Sequence, residues 1–373
     1  MLSLLLACGG AAVSEGASPS IGGSGGGAGT GGGGGALGGV GGKASSGGDP
    51  NFSCITEQEC APFKTPPGPE AAPPPPDGGG APDGPAPLRH VVSRWFLGEM
   101  DTQGNVTMEA WKDYGFDLDG WSSAAGQGFH CKPAWGAKAA DIRVDGNKGI
   151  DNSFGKHIVL GILATLIANP SNSTSLAVKK GGKTVLLDLG SIGTAANYSN
   201  APARWLRVGG QGEAPSGDWS SFPWPPFQGS TLLLSGAYLA QNIWVSGEVE
   251  EVVLTVSFDG FSMRIPVKRP RVSIDLKDRE NGRGGQLGGI VSTTELVAEM
   301  KLLAKNVSSS FCNEHFALGI IETIHQASDI LLDGTQDPDK ECDGISLGVG
   351  FESRATSLGS AVVEAPTPDP CAP

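Results

Sequence analysis

The sequence predicts an α+β fold dominated by antiparallel strands, a sandwich or open barrel with about three helices, behind a Gly- and Pro-rich tether. Three observations predict it. Asp259-Gly260 is a two-residue hairpin turn flanked by alternating apolar residues. Most other apolar runs are short and separated by Gly, Pro, Asn and Asp. Helical periodicity is confined to three stretches, one after Asp151 and two after Ser292.

Taken in chain order, Leu5-Leu6-Ala7-Cys8 stands first. It resembles the lipobox of bacterial lipoproteins, in which the cysteine is acylated. Only seven residues precede Cys8 and none is Lys or Arg, short of a usual signal segment, which places the expected start codon upstream. Residues 9–49 are about half glycine and offer no apolar face, so they read as a disordered spacer with a reach of about 35 Å. Cys54 and Cys60 bracket five residues, short enough for a local disulfide, and no nearby His completes a metal ligand set. Residues 61–87 hold eleven prolines and read as a polyproline II stalk. The sequence thus divides into 1–7 (truncated lipoprotein signal), 8–87 (disordered spacer) and 88–373 (one globular domain).

Pairing outward from Asp259-Gly260 sets Phe258 against Phe261, Val256 against Met263, Leu254 against Ile265 and Val252 against Val267. All these pairs fall on one face. Further strands are expected at 90–97, 184–189, 204–208, 232–234, 242–245, 271–277 and 345–351. A first helix spans 153–168 and stops at Asn169-Pro170. A second begins at Ser292 with Glu295 as its capping-box partner, and a third spans 313–332. The remaining cysteines, Cys131, Cys312, Cys342 and Cys371, are even in number, as an oxidising compartment allows, and spacing does not determine their pairing.

Among chemistry-bearing clusters the acidic one is strongest. Asp113, Asp117, Asp119, Asp145, Asn147 and Asp151 supply clustered oxygens on Gly-containing turns, the donor type that calcium takes. Neither half matches an EF-hand loop, and the competing reading is Asx turns and a cap for the following helix. His315, Glu322 and His325 share a helix face opposite the apolar stripe, the mark of a solvated surface rather than a zinc site. Gly344-Ile345-Ser346-Leu347-Gly348 has the nucleophile-elbow spacing, yet its alternation continues as one strand and no His follows His325, so no catalytic residue is assigned. Trp219 and Trp224, in a Pro-rich loop, are the aromatic pair expected to line a binding surface.

The net charge of −13 and the lack of a basic cluster disfavour nucleic acid as a partner. No stretch reaches the ~20 apolar residues of a spanning helix. Taken together, the Cys8 motif, the spacer, the Gly115–Gly120 turn, Gly149-Ile150-Asp151-Asn152 and the Cys342–Cys371 segment resemble uncharacterised secreted lipoproteins of myxobacteria. That resemblance implies attachment to a membrane by lipid at Cys8. Gly9, where Asp would mark inner-membrane retention, points to the outer membrane or cell surface. The expected function is a non-enzymatic surface module that binds a glycan, envelope component or protein partner. The alternatives are a calcium-dependent hydrolase of extracellular polymers and a structural envelope protein.

Overall fold

A computed structural model describes residue 58 and residues 72–366 and 371, apart from 124–128, 211, 217 and 259–260, and gives the backbone alone at 140 and 314–316. Cys8, Cys54, Cys60 and the tether before residue 72 fall outside the described residues, apart from residue 58.

The strands are β1 (Arg89–Phe96), β2 (Lys183–Asp188), β3 (Ala203–Gly209), β4 (Pro223–Trp224), β5 (Leu232–Leu234), β6 (Tyr238–Ala240), β7 (Ile243–Val245), β8 (Glu251–Phe258), β9 (Phe261–Asp275), β10 (Asn281–Ser292), β11 (Gly344–Ala355) and β12 (Ser357–Leu358). Ten of them form one antiparallel sheet in the order β5-β3-β2-β1-β11-β10-β9-β7-β6, with β8 on β9, while β4 and β12 pair separately. The sheet curls into a half-barrel, consistent with the expected α+β class. Its curl brings β8 against β2 and β3, where Trp205 Nε1 donates to the Val253 carbonyl (3.2 Å) and Ser257 Oγ to the Lys183 carbonyl (2.6 Å).

The β8–β9 ribbon has the register expected from its turn, from Phe258 opposite Phe261 to Val252 opposite Val267. Its apolar face lies in the main core. The expected strand at 271–277 is the continuation of β9, which turns from β8 to meet β7 and β10.

β10 has no counterpart among the expected strands, because Asn-Gly-Arg-Gly-Gly-Gln-Leu-Gly-Gly lacks a strand's alternation. Packing explains its composition. A Cβ on Gly285 would lie 2.5 Å from the Phe351 ring, one on Gly288 2.6 Å from the Phe116 ring, and one on Gly289 2.5 Å from Val267. On β11, a Cβ at Gly348 would come 2.1 Å from the Tyr114 carbonyl oxygen. The loop from Tyr114 to Phe116 therefore lies directly on the sheet backbone, and glycine is what lets it approach.

Four helices of ten residues or more are described: α1 (Phe154–Leu163), α2 (Pro170–Lys179), α3 (Thr293–Val307) and α4 (Glu314–Gln326). α1 has the wider π pitch, adds a short turn at Ala164–Leu166, and ends before Asn169-Pro170 as expected. α2 is not legible in the sequence because its first turns are polar; its start is fixed by Glu99, whose Oε1 accepts from Ser171 N (2.6 Å) and Oε2 from Ser171 Oγ (2.8 Å). Ser292 caps α3, accepting from Glu295 N at 3.4 Å. α4 stops six residues earlier than expected, where Asp329 turns to the sheet and accepts hydrogen bonds from the Ser346 N–H (2.8 Å) and hydroxyl (2.5 Å).

The folded body also begins earlier than Leu88. Ala72 is buried, the Tyr238 hydroxyl donates to the Pro73 carbonyl (2.6 Å), and the Tyr198 hydroxyl donates to Asp83 (2.7 Å). Polyproline carbonyls have no internal donor, so tyrosine hydroxyls can hold them. Two disulfides, Cys131–Cys342 and Cys312–Cys371, settle the pairing of the domain cysteines, and the second fastens the tail.

His90 on β1 is fully buried, with Nε2 2.8 Å from the Arg279 carbonyl and Nδ1 2.7 Å from Ser353 Oγ. Burial lowers its pKa from 6.5 to about 4. The folded state thus holds a neutral imidazole that the unfolded chain would protonate below pH 6.5. Its contribution is complete above 6.5 and is lost as pH falls toward 4, a window worth roughly 3 kcal/mol. Urea unfolding at both ends of that window should show a steeper acid loss in wild type than in His90→Gln; equal slopes would contradict it.

Candidate functional site

Three chain segments meet above the glycine seat of β10 and β11. The first runs from Tyr114 to Trp121. Gly115, at φ +113°, lies against Gly348, where a Cβ would be 2.9 Å from its Cα. Beyond it, Gly120 N donates to Asp117 Oδ1 (2.6 Å) and Trp121 N to Asp119 Oδ1 (2.8 Å), the second an Asx turn and the first a bond spanning one residue more, and together they hold both carboxylates over the same bend.

The second segment runs from Asp145 to Asn152 and is stitched to the first. Asp151 N donates to the Phe116 carbonyl (3.0 Å), and Asp151 Oδ2 accepts from Leu118 N (2.6 Å). Asn152 ties the segments to the sheet. Its amide nitrogen donates to the carbonyls of Trp111 (3.0 Å) and Tyr114 (3.1 Å), and its oxygen accepts from Gly155 N (2.8 Å) and Gly348 N (2.9 Å). The cap expected for the following helix is thus Asn152, leaving Asp151 to face the other carboxylates.

The third segment, after α4, brings Asp329 and Gln336. Gln336 Nε2 donates to Asp119 Oδ2 (2.7 Å) and its Oε1 accepts from Cys131 N (2.8 Å), beside the Cys131–Cys342 disulfide.

Single carboxylate oxygens of Asp117, Asp119 and Asp151 all lie within 4.8 Å of one another. Burial pushes the Asp119 carboxyl up to about 7, and Asp329 likewise to about 7. Asp145 and Asp151 are raised well above the carboxylate range, first by burial and then by neighbouring acids; Asp151 feels Asp119, Asp145 and Asp329. Among the described residues no Lys or Arg forms an ion pair with Asp119, Asp145, Asp151 or Asp329. Carboxylates gathered in this way either hold protons or surround a cation. An all-oxygen set carried on turns suits a hard divalent ion such as calcium.

Of the six residues expected to gather, Asp117, Asp119 and Asp151 converge, and Asp145 is electrostatically joined to them. Asp113 does not join that group of three; Asn147 Nδ2 donates to Asp113 Oδ1 (2.6 Å), and both line an adjoining cavity of about 280 Å³. A larger cleft of about 770 Å³ shares Phe116, Asp117 and Arg271 with that cavity and takes Tyr238 and Pro75 as further walls. Arg271 sits 5.2 Å over the Phe116 ring.

Trp219 and Trp224 are a correction. They are 7% and 0% exposed and pack on each other at 6.0 Å, so neither is an open platform. The proline-rich loop folds its indoles inward, and the exposed tryptophan is Trp135, at 89%. Ser346 lies within β11, fully buried, as its unbroken alternation indicated. Glu322 and His325 lie on the outward side of α4, while the His315 side chain is outside the described residues. Sequence reasoning missed Asp329 and Gln336, which reach the acidic centre only through the turn after α4. It also missed Ser123, whose hydroxyl lies 2.8 Å from His130 Nε2; both are at most 5% exposed, which closes that pair to a substrate.

Comparison with protein-family models finds no match, and searches of curated proteins and of solved structures return no significant neighbour.

Proposed function

We propose that the chain is a lipid-anchored module of the cell envelope or cell surface, held through Cys8, whose domain binds a glycan, envelope component or protein partner without catalysis. Calcium at Asp117, Asp119 and Asp151, with Asp145 and Asp329 close by, sets the walls of the adjoining cleft. The observation that carries this reading is the meeting of three carboxylates within 4.8 Å, two of them on the segment whose Phe116, Asp117 and Leu118 line the cleft and the third, Asp151, on the segment stitched to it. Paired cysteines agree with an oxidising compartment. A cation here would fix Phe116 and Leu118 and so the shape of the cleft, which is a binding role.

Calorimetric titration of calcium into chelator-treated protein should give saturable heat and a raised melting temperature. At a hundredfold excess over Kd the gain is about 2.7 kcal/mol. Asp117→Asn with Asp119→Asn should abolish both responses. Without cation, Asp119 and Asp329 have folded pKa values near 7 against 3.8, so folding is disfavoured progressively as pH rises from about 4 to 7. Calcium should remove that slope and release protons on binding. No heat and no melting shift at pH 7.5 would remove the cation from the proposal. Glycan arrays and envelope pull-downs with and without calcium test the binding role, and empty results in both would defeat it. Incorporation of labelled palmitate, lost in Cys8→Ala, tests the anchor.

A further inference from the structure

We infer that a separate pocket between α2, β1 and β11 binds a single oxyanion, a phosphate or sulfate group that is either free or carried as a monoester on a sugar. The pocket has a volume of about 240 Å³, enough for one such group with part of its carrier. Its charged lining is Arg94, Lys179, Arg354 and Glu352. Glu352 is engaged by Arg94 at 3.7 Å. Lys179 and Arg354 make no ion pair among the described residues. The pocket is therefore positive by two charges, in a chain whose net charge is −13.

The cations are also positioned. The Arg354 guanidinium rests 5.9 Å over the ring of Trp219. That ring is itself fixed, because its Nε1 donates to the Pro215 carbonyl (2.7 Å) and its own carbonyl accepts from Thr356 Oγ1 (3.2 Å). A guanidinium laid on a rigid aromatic floor loses less freedom when it grips an anion, and its fork matches two oxygens of a phosphate or sulfate. Lys179 is one helical turn from Ser175, whose Oγ accepts from Trp95 N (3.2 Å) and ties α2 to β1. The two unpaired charges thus stand on elements locked to each other. Trp219 serves the site from beneath Arg354, with its ring face covered.

The full chain, kept in chelator so that the acidic site contributes nothing, is titrated by calorimetry with inorganic phosphate and with glucose 6-phosphate at matched ionic strength. The expected result is saturable one-to-one binding of at least one of them. Arg354→Ala with Lys179→Ala should weaken it at least ~10-fold while the melting temperature stays that of wild type, since each charged hydrogen bond contributes more than a tenfold factor. Arg354→Lys, which keeps the charge and loses the fork, should fall between. Preference for glucose 6-phosphate would identify a group carried on a sugar, and binding of phosphate alone a free ion; either supports the site. Absence of heat with both ligands, or the same affinity in wild type and the double variant, would overturn it. Neither result depends on calcium.

Discussion

Asn152→Ala is expected to cost the domain roughly 4 kcal/mol or more, from four backbone groups that lose a partner at about 1 kcal/mol or more each. Asn152 is 2% exposed, and its amide serves four backbone groups: the carbonyls of Trp111 and Tyr114, and the N–H groups of Gly155 and Gly348. Alanine satisfies none of them, and the contact of Gly348 with Gly115 leaves little room for water to replace the lost amide. Against a typical total of about 5–15 kcal/mol, such a loss unfolds much of the population at physiological temperature. Asn152→Asp separates the contributions. It keeps the acceptor for Gly155 and Gly348, removes both donors, and sets another carboxylate beside Asp151, so it should be nearly as damaging at pH 7 and milder at pH 5. Urea unfolding followed by tryptophan fluorescence measures both; a loss below ~1 kcal/mol in Asn152→Ala would show that the acidic loops are held by other contacts.

Breaking Cys131–Cys342 should have an effect of similar size. The bond closes a chain separation of 211 residues, against 59 for Cys312–Cys371. Loop-closure entropy assigns the longer bridge up to about 5 kcal/mol and the shorter about 1 kcal/mol less, with observed values more often about 2–4 kcal/mol. The longer bridge also has a local consequence. It sits beside a short backbone pairing, in which Lys132 N donates to the Lys340 carbonyl (2.7 Å) and Cys342 N donates to the Lys132 carbonyl (2.9 Å). Cys131 N in turn holds Gln336, which reaches Asp119. Cys131→Ser with Cys342→Ser should therefore lower stability and weaken calcium binding together, whereas Cys312→Ser with Cys371→Ser should lower stability alone. Equal calcium affinity in the two double variants would show that Gln336 does not depend on the bridge.

Legibility followed the range of the interaction. The β8–β9 register could be written down from its turn because neighbouring positions along a hairpin decide it. The start of α3 was equally plain, since Ser292 and Glu295 are three residues apart. β10 was invisible, because its glycines answer to Phe116, Phe351 and Val267, which the local pattern does not contain. The acidic centre was half legible. Asp117, Asp119 and Asp151 could be nominated by their turns, but Asp329 is brought in by the chain reversal after α4, and Asp113 is drawn away by Asn147.

By itself, the sequence determined the antiparallel character of the domain, the ribbon register, the helix starts that carry local caps, and which acids stood near one another along the chain. These depend on contacts over a few residues, where backbone geometry leaves few choices. Only the tertiary structure decided that a glycine seat brings the loops onto the sheet, that Asp329 joins the carboxylates, that Trp219 and Trp224 turn inward, and which of the domain cysteines pair. Each of these depends on which distant surfaces meet, and close packing settles that at the level of single Cβ atoms.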